Sequence, residues 1–326
     1  MVTKLGACGM LSINSAEMVI VNDITKVYKG NIKAVDGVSL NIHEGEVFGL
    51  LGPNGAGKTT TLHILATLLK PTSGYAKVNG FDVVKQPGKV RESIGMVFQD
   101  PSSDELLTGY ENLKMHALMY GVPSSIRTQR INEVLELVDL TGRRNDLLKT
   151  YSGGMRRRLE IARGLLHRPK VLFLDEPTLG LDPQTREHIW EYIERLVKEE
   201  KLTIILTTHY MDEADRLCDR LAIMDYGKVV VLDTPEELKR GLGGDLIKIR
   251  ARSPNLTALE SFSYIKLVET DGDELTLTVV DAGSHIQEIL ATIGKVDLVD
   301  LRPPTLSDVF LKYTGRQYRE QGGGSS

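Results

Sequence analysis

Cysteine is nearly absent. Cys8 and Cys218 are the only two, far apart in the chain, which provides neither a disulfide framework nor metal-ligand spacing and suits a reducing compartment. No apolar run approaches the roughly 20 residues that cross a bilayer; runs such as Val171 to Leu174 suit buried strands instead. A basic excess is also missing. The formal net charge of -4 gives no general electrostatic footprint for nucleic acid. Met1 to Ala16 mix Lys, Gly and polar residues without a sustained apolar stretch and do not read as a secretory signal. What is present is ordinary globular composition, 41% hydrophobic and 26% charged, over 326 residues, a length that suggests a large domain followed by a smaller one.

The pattern along the chain alternates strand and helix. Val19 to Val27, Val38 to Ile42 and Val47 to Leu51 read as strands between Asn, Asp and Gly punctuation. A helix is expected after Gly57, with Leu62, Leu65, Ala66 and Leu69 at helical spacing and Pro71 as its stop. Helical patterns recur at Ile131, Val134, Leu135 and Val138 and at Ile189, Ile193, Leu196 and Val197, while Val171 to Leu174 and Thr203 to Leu206 read as buried strands. This is α/β organisation. From Leu246 the order becomes strand to Arg252, helix Leu256 to Phe262, strand Tyr264 to Val268, a turn at Asp271-Gly272, strand Leu275 to Val280, helix Ser284 to Ile293 and strand Val296 to Leu301. That βαββαβ order is the ferredoxin-like α+β plan. An amphipathic segment, Leu306 to Tyr313, follows Pro303-Pro304, and Gly322 to Ser326 read as a flexible tail.

Three motifs carry chemistry. Gly52-Pro53-Asn54-Gly55-Ala56-Gly57-Lys58-Thr59, with Thr60 next, lies between an expected strand and helix. In that context glycine amides and a helix N-terminus cradle phosphate oxygens, Lys58 neutralises charge on the β- and γ-phosphates, and the Thr59 hydroxyl can ligate Mg²⁺. Alone, the loop says only that a nucleoside triphosphate binds. Asp175 and Glu176 end the apolar run from Val171, where α/β sheets bind ligands. Asp175 would hold Mg²⁺ through its water shell and Glu176 would orient or deprotonate the attacking water; read alone, the pair is also a polar strand end with solvated carboxylates. In Tyr151-Ser152-Gly153-Gly154-Met155, Ser152 can cap a helix while Gly153 and Gly154 let amides approach an anion, a second phosphate nest. Taken by itself it is an ordinary helix start. For at least two of Arg156, Arg157 and Arg158, a solvated helix face is the expected reading.

The order of these elements, with Gln99 after Met96-Val97-Phe98 and a later His209, resembles the ATP-binding cassette ATPases over roughly Met18 to Leu238. The resemblance implies a P-loop NTPase cassette, a mixed-sheet core with a helical signature subdomain. It implies ATP and Mg²⁺ as cofactors, Tyr28 stacked on adenine, Gln99 sensing Mg²⁺ and a membrane subunit, Asp182 of Gly180-Leu181-Asp182 bridging subunits, and His209 on the γ-phosphate. Tyr151 and Met155 depart from the common Leu-Ser-Gly-Gly-Gln signature while its centre is kept. With the arginine run and Pro304-Thr305-Leu306-Ser307-Asp308-Val309-Phe310, that departure is similar to the ATPase subunits of daunorubicin-resistance-type exporters.

The expected organisation is an extension at 1–17, the cassette at 18–240, an accessory α+β domain at 245–314 and a tail at 315–326. The two nests and the resemblance together imply a head-to-tail pair of chains sharing ATP; the resemblance further implies integral-membrane permease subunits on separate chains and a cytosolic position on the membrane face, and no nucleic-acid partner is expected. A nucleic-acid or ribosome remodeller would use the same engine, but by resemblance such proteins carry two cassettes or a long coiled-coil insertion. A purely regulatory module would not need Glu176 and His209. Export of a hydrophobic drug, antibiotic or lipid is the expected function.

Overall fold

The computed structural model describes residues 17–251 and 256–315; all of the expected extension but Glu17, which opens the first strand, lies outside them, as do Arg252 and nearly all of the tail. The elements in chain order are β1 (Glu17–Tyr28), β2 (Ile32–His43), β3 (Val47–Leu51), α1 (Lys58–Leu65), β4 (Ser73–Val78), β5 (Phe81–Asp82), α2 (Pro87–Ser93) and β6 (Ile94–Val97). There follow α3 (Gly109–Met119), α4 (Ser124–Leu137), α5 (Gly153–Leu165), β7 (Val171–Asp175), α6 (Pro183–Glu200), β8 (Thr203–Thr208), α7 (Met211–Leu217), β9 (Arg220–Asp225), β10 (Lys228–Asp233) and α8 (Pro235–Arg240). The remainder is β11 (Asp245–Ala251), α9 (Leu256–Glu260), β12 (Ile265–Asp271), β13 (Glu274–Val279), α10 (Ala282–Ile293), β14 (Val296–Arg302) and α11 (Leu306–Thr314).

The central sheet has six strands in the order β10-β9-β3-β8-β7-β6, parallel except for the β10 edge. Every residue of β3, β7 and β8 is buried, as continuous apolar runs in a sheet covered on both faces require. Alternation sorts their side chains. Leu172, Leu174, Ile204 and Leu206 join a core cluster with α3 to α7, whereas Phe48, Leu50, Val171, Phe173 and Ile205 join one with α1, β1, β2 and β4. The latter strands, with β5, form an antiparallel sheet of order β2-β1-β4-β5. Helices α3, α4 and α5 pack on one another as a helical subdomain. The α1 helix ends at Leu65, short of the expected stop at Pro71, because Thr67 turns into the left-handed region at φ 65°; Leu69 still packs against the core.

The C-terminal elements form the βαββαβ unit, an antiparallel sheet of order β12-β13-β11-β14. Ile247, Ile249, Leu275, Leu277 and Val279 face α9 and α10 through Leu259, Ala282, Ile289 and Ile293. Helix α11 goes elsewhere. It returns to α7, α8 and β10, and its Leu306, Val309 and Phe310 are buried in the large cluster of the central sheet. Among the described residues no helix is long and apolar enough to cross a membrane.

Candidate active site

The loop from Gly52 to Gly57 links the buried end of β3 to α1 and needs glycine where the chain folds back on itself. Gly57 has φ 100°, and a Cβ there would lie 2.4 Å from the Ala34 carbonyl oxygen. Lys58, the first residue of α1 and only 4% exposed, donates to the Gly52 carbonyl at 2.7 Å and the Pro53 carbonyl at 3.2 Å, with the Glu176 carboxylate 3.5 Å away. Burial lowers its pKa, and Glu176 and Asp175 oppose that shift.

Asp175 and Glu176 leave the C-terminal end of β7, two strands from β3. Thr59 Oγ1 donates to Asp175 Oδ1 at 3.0 Å, and Thr207 Oγ1 donates to the same oxygen at 2.6 Å. Thr207 was not singled out by the sequence; the strand reading there stops at Leu206, one residue short, and the signal for it is register, since Asp175 pairs with Thr207 across β7 and β8. The Glu176 backbone turns into the left-handed region, φ 46°, and its N–H donates to Thr207 Oγ1 at 3.0 Å. His209 Nδ1 lies 3.0 Å from Glu176 Oε2. Burial raises the Glu176 pKa, but the His209 hydrogen bond and the Lys58 charge outweigh it and hold the carboxyl below its ordinary range.

A cavity of about 720 Å³ brings together Tyr28, Pro53 through Thr60, Gln99, Glu176 and His209. Ala34, Leu179 and Tyr210, which sequence reasoning missed, also line it. Asp175 sits below, linked through Thr59. Ser152 caps α5 by accepting from the Met155 N–H at 3.2 Å, and a Cβ on Gly154 would lie 2.5 Å from the Thr185 methyl, so a side chain there would have to displace Thr185. Ser152 and Gly154 face a different cavity, about 540 Å³, with Arg158, Thr185 and Tyr192, and the two linings share no residue. Asp182 caps α6, accepting from the Thr185 N–H at 3.0 Å.

Of the arginine run, Arg156 and Arg158 stay part-exposed, in line with the solvated face expected for at least two of the three, and Arg157 does not. Arg157 is buried and donates to four main-chain carbonyls, those of Pro177, Phe98, Asp175 and Glu176. Arg156 donates to the Tyr151 and Lys149 carbonyls and pairs with Glu105, and Arg158 donates to the Val138 carbonyl at 3.0 Å. Orphan carbonyls at loop ends attract these donors, a demand that no charge count along the chain reveals.

A glycine-rich loop between a buried parallel strand and a helix, with paired carboxylates two strands away, defines a P-loop nucleoside triphosphatase. The family model described as "ABC transporter" matches residues 35–179, and "ATP-binding protein DrrA1-3-like, C-terminal domain" matches 234–314. The chain is 42% identical to the daunorubicin/doxorubicin resistance ATP-binding protein DrrA of Streptomyces peucetius, over 90% of this chain and 91% of that one. It is 38% identical to the linearmycin resistance ATP-binding protein LnrL of Bacillus subtilis, over 93% of this chain and 100% of that one. Among solved structures, a dimeric post-hydrolysis state of an ATP-binding cassette bound to ADP and Pi superposes with a TM-score of 0.61 at 31% identity, covering 67% of this chain and 98% of the other. The chain belongs to the ABC transporter ATP-binding proteins, and within them it is similar to the daunorubicin/doxorubicin-resistance type. It is therefore an ATP-binding and ATP-hydrolysing transporter subunit, of a family whose cassettes form dimers.

Proposed function

We propose that this chain powers export of a hydrophobic drug, antibiotic or lipid through permease subunits on separate chains, with two copies enclosing two ATP molecules head to tail on the cytosolic face of the membrane. The observation that carries the shared-site reading is the separation of the two nests: in one chain the Lys58 loop and Ser152 face distinct cavities. A triphosphate gripped by both is held by the Lys58 loop of one subunit and Ser152 of the partner subunit. The loop amides and Lys58 bind the phosphates, Tyr28 stacks on adenine and Asp182 bridges the subunits. Thr59, Asp175 and the Gln99 amide oxygen offer the hard oxygen donors that Mg²⁺ takes, and Thr59 and Asp175 already meet at 3.0 Å. Mg²⁺, when bound, neutralises charge developing on the phosphates. Glu176, ionised at neutral pH, orients the attacking water and accepts its proton; His209, against Glu176, contacts the γ-phosphate. In the division proposed, 18–240 is the cassette and 245–314 the accessory domain, with α11 reaching back from the second to the first.

Export is tested in inside-out vesicles carrying the chain with its native membrane subunit. ATP-dependent uptake of a hydrophobic antibiotic, lost in the Glu176→Gln variant, is expected. Robust ATP hydrolysis in such vesicles, without uptake of any hydrophobic drug, antibiotic or lipid offered, contradicts the export reading.

A further inference from the structure

Helix α5 does more than present Ser152. Its buried residues Arg157, Glu160 and Arg163 recur every three positions and so share one face, an uncommon place for three charges. Arg157 uses four of its five N–H donors on main-chain oxygens: Nε on Pro177 at 2.6 Å, one Nη on Phe98 at 2.6 Å, and the other on Asp175 and Glu176, both at 3.0 Å. These carbonyls belong to the two strand exits that carry Gln99 and the paired carboxylates. Glu160 then holds the far side of the Gln99 loop, accepting from the N–H groups of Ser102 and Ser103 at 3.2 and 3.0 Å, and pairs with Arg163 at 2.7 Å.

The Glu176 turn shows why such a grip matters. A non-glycine residue at φ 46° is strained and persists only where its surroundings over-determine it. Its N–H is fixed by Thr207 and its carbonyl by Arg157. None of the acceptors of Arg157 lies in the Gly52–Thr60 loop.

We propose that Arg157 is a positioning residue that locks the Glu176 turn and the Gln99 strand exit to the helix opening at Ser152, so that each chain's hydrolytic carboxylate is set in register with its own nest. This rests on the roles assigned above to Glu176 and Gln99. Loss of the lock misplaces Glu176, while the loop that grips the phosphates keeps its own anchors, the bonds from Lys58 to the Gly52 and Pro53 carbonyls.

The test compares steady-state ATP hydrolysis, ATP affinity and thermal unfolding of the full chain in four variants. Arg157→Met keeps the apolar stem and removes every donor; kcat is expected to fall by about 10²-fold, the scale of a 1 Å misplacement, with KM and ATP Kd within about threefold. Arg157→Lys keeps the charge with fewer donors and is expected to be intermediate, a partial rescue that bulk loosening does not give. Arg130→Met removes a guanidinium that bonds the Leu165 and Leu166 carbonyls at the other end of α5; its kcat is expected within about threefold of the parent even where its melting temperature drops. A folded Arg157→Met chain with parent-like kcat overturns the proposal. So does a parallel rise in KM and Kd, or an equal loss in Arg130→Met. If Arg157→Met does not fold, Arg157→Lys decides: a kcat lowered at least about fivefold at unchanged KM supports the lock, and a parent-like kcat rejects it. Glu176→Gln, the fourth variant, separates the layers, since parent-like turnover there removes the role of Glu176 itself, whatever Arg157 does.

Discussion

His209 Nδ1 lies 3.0 Å from Glu176 Oε2 while Lys58 Nζ lies 3.5 Å from Glu176 Oε1, so one buried carboxylate is held between two nitrogen groups. Burial alone would drive Glu176 toward its neutral form; its two neighbours reverse that and keep it ionised. A carboxylate held this way is a well-placed proton acceptor whose basicity is modest. Orientation of the water is then a large part of what it contributes.

Replacing Glu176 with Gln keeps size and hydrogen bonding but removes proton acceptance. Turnover is expected to fall by roughly 10² to 10⁴, about 3 to 5 kcal/mol of barrier, with ATP binding retained. Phosphate release and equilibrium nucleotide titration on the same preparation measure the two quantities. A wild-type rate removes Glu176 from its assigned role.

Helix α11 ties the end of the chain to the cassette. Phe310, 3% exposed, is buried with the core of the central sheet, so Phe310→Ala is expected to destabilise the cassette by about 3 to 5 kcal/mol although it touches no nucleotide motif. Urea unfolding followed by the fluorescence of the single tryptophan, Trp190, reads this directly. Removing residues 246 onward takes α11 away and uncovers its docking surface on α7, α8 and β10; a chain cut after Asp245 is expected to unfold at lower urea than the full chain and to lose ATP binding only to the extent that it unfolds, and an unchanged urea midpoint contradicts this seating of α11.

Asp308 gives α11 a pH dependence. Burial raises its pKa, but two hydrogen bonds from Arg302, at 2.6 and 2.8 Å, and those from Thr305 lower it from 3.8 to about 2. A depressed carboxylate pKa stabilises the folded state above the unfolded value, and that contribution is lost as pH falls from 3.8 through about 2. Asp308→Asn is expected to cost about 1 kcal/mol at pH 7, solvent screening of the part-exposed pair reducing the full effect of the shift, and to flatten the acid limb of stability in that window. An unchanged acid limb in the variant contradicts the pairing.

Much of this was legible in the sequence. The runs at β3, β7 and β8 are apolar over their length because both faces are covered, and the loop from Gly52 to Thr59 declares itself by glycine spacing. The βαββαβ order follows from alternating periods alone. Partners were harder to read. The apolar stripe on Leu306 to Tyr313 says that one face is buried but not against what, and the structure seats it on the cassette and not on the adjacent sheet. Which of Arg156, Arg157 and Arg158 leaves the solvated face is not legible, because sequence shows the cations and not the carbonyls of Phe98, Asp175, Glu176 and Pro177 that gather around Arg157 only after folding. Thr207 is visible only through strand register.

In the proposed dimer each ATP site is shared between two chains, and mixing two defective chains tests that sharing most directly. A dimer of Lys58→Ala chains has both loops damaged; a dimer of Ser152→Arg chains has both nests blocked, so each alone should be nearly inactive. In the mixed dimer the intact loop of one chain faces the intact nest of the other, and both defects fall in the second site. ATP hydrolysis and ATP-dependent association are measured together as the proportions vary, since strict coupling between sites can mask hydrolysis alone. Recovery of hydrolysis or association that peaks near equal proportions is the predicted result. If folded mutant chains regain neither at any ratio, the shared-site account is contradicted.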